Sequence, residues 1–260
     1  MLIDSHCHLD HEAFASDRAA VLERSRTAGV DAWVVPAYSP RNWSRLQDLA
    51  KSAAGVAAAY GVHPLYLGEL SEQDWGRLPT LLAKAVALGE IGLDRGEGAP
   101  PLELQLTVLG RQLDLAQELE LPVILHARRA SEDLLQALRH WAPLRGVWHS
   151  FSGSGEQARK ALDLGLHLGF GGAVTHRRAA RLQRVLQALP TEALVLETDA
   201  PFQPPAAHPQ QRNEPAFLRE ILAAVAELRA ITPEKLAEIT AKNTLIAFPR
   251  LEQELCRKKP

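Results

Sequence analysis

The chain has 260 residues, of which 46% are hydrophobic, and a formal net charge of −2. This length suits one large α/β domain or two small ones, and the charge excludes a globally basic nucleic-acid coat but not a local basic patch. No apolar run approaches the roughly 18 residues of a membrane span, and no signal peptide precedes His6. Cys7 and Cys256 lie far apart and predict no disulfide framework. We therefore expect a reduced, cytoplasmic protein without membrane attachment.

Short apolar, β-branched runs alternate with amphipathic segments along the whole chain. The predicted strands cover residues 2–8, 32–37, 56–62, 86–92, 122–126, 146–151, 166–170 and 194–198. Several of the segments between them end in glycine, as helices that lead into a strand often do. Eight strands, each followed by a helix, predict a single-domain TIM (β/α)8 barrel, a fold whose usual length is near that of this chain.

The alternative architecture is a doubly wound open sheet, which is disfavoured because no G-x-G-x-x-G motif follows the first strand. The last helices are expected in EPAFLREILAAVAELRA and TPEKLAEITAKNTLIAF. We assign residues 1–250 to the barrel domain and residues 251–260, which end in CRKKP, to a short solvated C-terminal tail.

Six ionisable side chains fall in or just beyond the predicted strands: His6, His8, Glu90, His126, His149 and Asp199. In a barrel, the C-terminal ends of the strands converge on the mouth where active sites are built. His6 and His8 share one face of an extended strand because successive side chains alternate. A single histidine at a strand end is usually only a hydrogen-bonded structural residue. Burying Glu90 and Asp199 beside four imidazoles, however, costs several kcal/mol per unpaired carboxylate and predicts neutralising cations.

Four histidines and two carboxylates suit two divalent metal ions at the mouth of the barrel. Glu90 is the natural bridge because its carboxylate can offer one oxygen to each ion. Zn²⁺, Mn²⁺, Fe²⁺ and Co²⁺ all accept a mixed imidazole and carboxylate set, whereas Mg²⁺ prefers more oxygen. The residues alone do not choose among these metals.

The segments DSHCHLD, GEIGLD, PVILHARRA, GVWHSFSGS and LETDAPF, followed by RNEP, resemble the TatD family of metal-dependent deoxyribonucleases in order and spacing. That family belongs to the amidohydrolase-like TIM barrels, and GVHPLYL and WHSFSGS are similar to its YjjV-like branch. The resemblance implies one metal on His6, His8, Glu90 and Asp199 and another on Glu90, His126 and His149. It also implies that Asp199 is the general base and that Arg128 occupies the position of the family's arginine.

These residues predict hydrolysis of DNA phosphodiester bonds by metal-activated water, exonucleolytic and on single strands or ends. Asp199 would accept the water's proton on a free second oxygen, and the Arg128 fork would grip a phosphate oxygen. His63 and Ser152 are weaker candidates for substrate contact, with structural roles as the alternative. The segment IGLDRGEG and Arg129 depart from the family pattern and leave the substrate preference open.

Supporting roles are predicted for several neighbouring residues. Asp94 and Asp10 could orient ligand histidines, with a turn or helix-start role as the equal alternative, and Asn213 with Glu214 would brace the loop that carries Asp199. For Arg177, Arg178 and Arg181, a solvated helix face is favoured over a basic rim for nucleic acid. We expect structural roles for the remaining histidines, His11, His140, His167, His176 and His208, and packing roles for most tryptophans.

Two other functions remain open. One is a small-molecule amidohydrolase or phosphoesterase of the same barrel superfamily, although many such sites use a carboxylated lysine of strand four, where this chain has Glu90 and only the distant Lys84. The other is a non-catalytic, metal-stabilised binding protein, against which the complete ligand set argues. The expected partner is DNA or a small phosphoester, with no membrane and no obligate protein partner.

Overall fold

In the computed structural model, which describes residues 1–257, parallel strands and helices alternate in the predicted order. The strands are β1 (Ile3–Asp4), β2 (Ala32–Pro36), β3 (Val56–Tyr60), β4 (Ala87–Asp94), β5 (Val123–Arg128), β6 (Gly146–Trp148), β7 (Leu166–Phe170) and β8 (Leu194–Leu196). The helices are α1 (Arg18–Thr27), α2 (Trp43–Ser52), α3 (Glu72–Leu82), α4 (Leu102–Glu118), α5 (Ser131–Leu138), α6 (Gly155–Asp163), α7 (Ala180–Ala188), α8 (Leu218–Arg229), α9 (Pro233–Ala247) and α10 (Pro249–Arg257). Short 3-10 helices lie in several connections.

The sheet runs β1 to β8 in chain order, and every neighbouring pair is parallel. Its two edges meet, because Ser5 N donates to Leu196 O at 2.9 Å. The buried Asp4 carboxyl adds a second link, since its Oδ2 accepts from Thr198 Oγ1 at 2.6 Å. The order is that of a TIM barrel, so the prediction is confirmed and the doubly wound sheet is excluded.

Alternation along the strands divides the core into two clusters. In β2, Ala32 and Val34 join an inner cluster of strand residues, whereas Trp33 and Val35 join an outer cluster shared with the helices. The inner cluster is rich in alanine and valine, as expected where eight strands face one another. Phe248 and Leu251 are fully buried against it, so the end of α9 and the start of α10 close this inner core.

The first part of the expected C-terminal tail is helical. Because α10 starts at Pro249, it includes residues 251–257 of the expected tail. The domain division at residue 250 itself stays a prediction, and residues 258–260 of CRKKP lie outside the described part of the chain. Over the described range, every helix is too short or too polar to cross a bilayer.

Candidate metal centre

The structure brings all six predicted ligands together at the carboxyl ends of the strands. Glu90 and His126 lie inside β4 and β5, whereas the other four follow the ends of their strands. β1 is shorter than predicted, so His6 and His8 belong to the segment beyond it. That segment is still held between its neighbours, because Cys7 N donates to Val34 O at 3.1 Å and His8 N donates to Ala200 O at 2.7 Å.

The two oxygens of Glu90 face different pairs of imidazoles. Oε2 lies 3.5 Å from His6 Nε2 and 3.4 Å from His8 Nε2. Oε1 lies 2.8 Å from His149 Nε2 and 3.1 Å from His126 Nδ1. Asp199 joins the first pair, with Oδ1 at 3.6 Å from the Nε2 atoms of both His6 and His8. Two groups of donor atoms therefore share one carboxylate.

Burial and mutual attraction set the charges in this cluster. Burial alone would raise the pKa of the Glu90 carboxyl, but the surrounding imidazoles, His149 foremost, hold that pKa well below its usual range. Burial lowers the pKa of His6, and the nearby His149 lowers it further. For His149, the burial effect is outweighed by Glu90 and Glu197, which raise its pKa. The centre thus has an ionised carboxylate within a dense set of imidazoles.

Hydrogen bonds outside the cluster orient two of the imidazoles. His8 Nδ1 lies 3.2 Å from Pro36 O, which leaves Nε2 directed into the cluster. His126 Nε2 lies 3.0 Å from Asp94 Oδ2, which leaves Nδ1 directed towards Glu90. Asp94 therefore contacts one of the predicted ligand histidines, as expected. Asp10 contacts Asn42 instead, whose Nδ2 donates to Asp10 Oδ2 at 2.5 Å.

Glu197 is a buried carboxylate of the site that the sequence analysis missed. Its Oε1 accepts a hydrogen bond from Ser150 N at 2.5 Å and lies 3.7 Å from His149 Nδ1. Gly169 makes room for it, because a Cβ at Gly169 would lie 2.2 Å from Glu197 Oε2. The signal was present in the sequence: Glu197 stands two residues before Asp199, the same spacing that links His6 to His8.

Gln203 was also missed, and it changes the expectation for Asp199. Its Nε2 donates to Asp199 Oδ2 at 2.6 Å and to Ser150 Oγ at 2.9 Å, so the second oxygen of Asp199 is not free. Arg129, Ser150, Asp199 and Gln203 all have φ between +47° and +56°. A left-handed backbone costs energy in residues other than glycine, and such residues tend to cluster at functional sites.

A cavity of about 580 Å³ opens above these ligands. Arg128, Arg129 and Ser152 line one part of its wall. Within residues 1–257, neither arginine side chain forms an ion pair or a hydrogen bond. Ser152 lies before helix α6, whose N-cap is Ser154, and its carbonyl accepts from Arg181 Nη2 at 3.0 Å. The hydroxyl of Ser152 and both arginines therefore remain available to a ligand.

His63 lies in the cluster itself. Its Nδ1 accepts from Leu65 N at 3.2 Å, and its Nε2 lies 3.7 Å from Glu90 Oε1. Burial and the neighbouring His126 lower the pKa of His63 to about 3, and because Nδ1 accepts from Leu65 N, the proton of the neutral ring lies on Nε2. His63 therefore forms a structural hydrogen bond and also lies at the site. Ring nitrogens of His63 and His126 and a carboxylate oxygen of Glu90 lie within 4.8 Å of one another.

The loop after β8 is braced by the two residues that the sequence indicated. Asn213 Nδ2 donates to Thr198 O at 2.7 Å and to Phe202 O at 2.5 Å. Glu214 pairs with Arg24 at 2.7 Å and with Arg212 at 2.9 Å. These bonds hold the loop on both sides of Asp199.

Of the remaining candidates, Arg178 lies beside the mouth, where it lines a second hollow that shares Ala173 and Gln203 with the main cavity. His11, which we expected to be structural, lines the main cavity. All five tryptophans are in the core or pack against it: Trp33, Trp43, Trp75, Trp141 and Trp148.

Comparison with known proteins places this arrangement in a family. The family model of TatD related DNases matches residues 3–249. Over 251 residues, the chain is 40% identical to the uncharacterized metal-dependent hydrolase YjjV of Escherichia coli K12, covering 95% of this chain and 97% of that protein. It is 36% identical over 257 residues to the 3'-5' ssDNA/RNA exonuclease TatD of Erwinia billingiae, covering 95% of this chain and 98% of the exonuclease.

The fold of the chain is also similar to that of a solved relative. The crystal structure of Escherichia coli YjjV, a TatD homolog, matches with a TM-score of 0.91 and 38% sequence identity, covering 95% of this chain and 98% of that one. The resemblance read from the motifs is confirmed, including its YjjV-like character. The protein is a metal-dependent hydrolase that acts on ester bonds. The chain belongs to the TatD family of metal-dependent hydrolases.

Proposed function

We propose that this enzyme hydrolyses phosphodiester bonds of DNA, exonucleolytically, at strand ends or on single strands. Two divalent metal ions would be held by His6, His8, Glu90, His126, His149 and Asp199. The observation that carries the proposal is that the two carboxylate oxygens of Glu90 face different histidine pairs. Oε2 faces His6 and His8, and Oε1 faces His126 and His149. A carboxylate shared in this way suits two cations better than one.

The donor chemistry fits such ions without rearrangement of the fold. The Nε2 atoms of His6 and His8 lie only 3.3 Å apart, with carboxylate oxygens of Glu90 and Asp199 beside both. Converging lone pairs of this kind are stabilised by a cation and are costly without one. When bound, divalent cations supply Lewis acidity towards a phosphoryl oxygen and lower the pKa of water.

The chain's own side chains would handle the proton and the phosphate. Asp199 would accept the proton of the attacking water. Its Oδ2 already accepts from Gln203, but a carboxylate oxygen has two lone pairs, so one remains for the water. Arg128 would bind a non-bridging phosphate oxygen with its planar fork of donors, which a lysine lacks. His63 and Ser152, which line the same cavity, would contact the substrate.

Nucleic acid is favoured as the substrate by the charges at the mouth and by the relatives. Arg128 and Arg129 form a local cationic patch on a chain whose net charge is −2, which suits gripping a strand end better than tracking along a duplex. The Erwinia relative is named as an exonuclease on single-stranded DNA and RNA. A cytoplasmic location, expected because both cysteines are free, stays a prediction.

The test is hydrolysis of end-labelled single-stranded DNA by metal-stripped enzyme that is resupplied separately with Mg²⁺, Mn²⁺ and Zn²⁺. Glu90→Ala should abolish shortening of the strand, whereas Glu238→Ala, on an exposed turn of α9, should not change it. The product ladder reports the polarity. RNA, blunt duplex DNA, nitrophenyl phosphodiesters, lactones and dihydroorotate are run in parallel. Turnover of carbonyl substrates alone would overturn the nuclease proposal in favour of an amidohydrolase, and turnover of small phosphodiesters alone would favour a phosphoesterase.

A further inference from the structure

One side of the mouth is covered by aromatic rings. His11, Tyr38, Tyr66 and Phe202, which we call the aromatic wall, all line the cavity. Their rings form a continuous row: Phe202 to His11 is 5.3 Å between centroids, His11 to Tyr38 is 5.9 Å, and Tyr38 to Tyr66 is 5.1 Å. These residues come from four different connections of the barrel, after β1, β2, β3 and β8.

Phe202 is not a packing residue. Its side chain is 47% exposed, although large apolar side chains of this protein are mostly buried. Its backbone is nevertheless fixed, because Phe202 N donates to Asp199 O at 2.8 Å and Phe202 O accepts from Asn213 Nδ2 at 2.5 Å. An exposed aromatic ring on a fixed backbone is already arranged for a ligand and loses little entropy on binding.

The aromatic wall lies next to the metal centre. The His8 ring is 5.9 Å from the ring of Phe202 and 5.6 Å from the ring of Tyr38. Arg128 and Arg129 line the same cavity without a partner among the described residues. A phosphate held by the metal ligands and these arginines would therefore bring its own nucleoside against the rings.

We propose that the aromatic wall is a nucleobase-binding subsite, in which Phe202 stacks on the unpaired base of the nucleotide next to the scissile phosphate. This inference rests on the proposed nuclease function and extends it to a substrate class, nucleotides with an accessible base face. Every base has such a face, so the subsite is tolerant of sequence. A base inside a duplex is already stacked and paired, so it is excluded from the wall.

The kinetic experiment compares a single-stranded oligonucleotide with one that has abasic tetrahydrofuran residues at both ends. Stacking of one base corresponds to about a 5- to 150-fold advantage. The wild-type enzyme should therefore cleave the normal strand faster by a factor in that range. Phe202→Ala should reduce the ratio of the normal-strand rate to the abasic rate towards one. Leu104→Ala, which changes an equally exposed residue of α4, should retain the full preference.

A binding experiment keeps the proposal testable without turnover. In an Asp199→Asn background, a terminal 2-aminopurine should lose fluorescence on binding, and adding Phe202→Ala should remove that loss. If the alanine variant fails to fold, Phe202→Leu, which retains an apolar side chain but has no ring, takes its place. It should also remove the fluorescence loss. If the wild-type enzyme shows no nuclease activity with any of the metals while quenching still depends on Phe202, the subsite would be supported and the nuclease function removed. Hydrolysis with no preference for a base and no quenching dependent on Phe202 would overturn the subsite alone.

Discussion

Gln203 holds Asp199 in place through a hydrogen bond of 2.6 Å from its Nε2 to Asp199 Oδ2. The same amide nitrogen lies 2.9 Å from Ser150 Oγ, so two mouth loops are tied together at this point. Asp199 Oδ1 is thereby left facing His6 and His8. Gln203 is thus a positioning residue for the proposed base, and all three mouth residues of this unit, Asp199, Gln203 and Ser150, have left-handed backbones.

Replacing Gln203 with leucine should lower kcat by about 10- to 100-fold, the usual cost of losing a side chain that orients a metal ligand. KM should change little, because Gln203 positions Asp199 and does not bind the oligonucleotide itself. Steady-state kinetics on a labelled oligonucleotide would separate the two constants. Gln187→Ala, on α7, is the matched control. An effect confined to KM would instead place Gln203 on the substrate.

Asp199→Asn should lower kcat by about 10²- to 10⁴-fold, because asparagine cannot accept the water's proton. Its carbonyl can still accept from Gln203, so the loop should retain its conformation. Metal content, measured by elemental analysis, should remain because the remaining ligands are intact. Asp163→Asn, at the exposed end of α6, should behave as wild type. Full activity of the Asp199 variant would remove this residue from the base role.

Arg128→Ala should raise KM for oligonucleotides, and Arg128→Lys should restore only part of the affinity, because lysine retains the charge but lacks the bidentate fork. A loss of about tenfold corresponds to roughly 1.4 kcal/mol, which is near the lower end of the contribution of a charged hydrogen bond. Arg184→Ala, on an exposed face of α7, is the control. KM values for both variants equal to that of the wild type would show that neither the fork nor the charge at this position binds the phosphate.

Gly169→Ala should destabilise the protein, because the new Cβ would lie 2.2 Å from Glu197 Oε2 inside the core. Overpacking of this kind costs about 1–3 kcal/mol, or a fall in Tm of about 2–10 °C. The displaced Glu197 should also weaken metal binding at His149, measured by calorimetric titration. Gly76→Ala is the control, since nothing lies within 4 Å of a Cβ there. An unchanged Tm for Gly169→Ala would mean that Glu197 moves without cost.

Removal of metal should lower Tm, because the cation stabilises only the folded arrangement of buried imidazoles and carboxylates. At a free metal concentration 100 times Kd, one site contributes about 2.7 kcal/mol, or about 5–10 °C in Tm. Calorimetry with and without chelator, over a series of Zn²⁺ or Mn²⁺ concentrations, measures this shift. Glu90→Gln should lose most of it. A Tm independent of metal in the wild type would argue against a filled site in the native protein.

Local pattern in the sequence determined the barrel and placed the candidate metal ligands at its strand ends. Strand composition and the glycine-ended helices are properties of short segments, and β7 (Leu166–Phe170) lies at its predicted bounds. The spacing of His6 and His8, which places both side chains on one face, is likewise a property of only three residues. Strand ends were less well predicted: β1 stops at Asp4, although Cys7 N beyond it still donates to Val34 O of β2.

The tertiary structure alone decided how residues far apart in the chain combine. Nothing within LETDAPFQ indicates that Gln203 occupies the second oxygen of Asp199, which we had expected to be free. His11 has no distinctive local pattern, yet closure of the barrel brings it against Tyr38 and Phe202. The physical reason is that connections after separate strands converge only when the two sheet edges meet. Before that closure, the ligands are ordered along the chain, but the cavity and its aromatic wall do not exist.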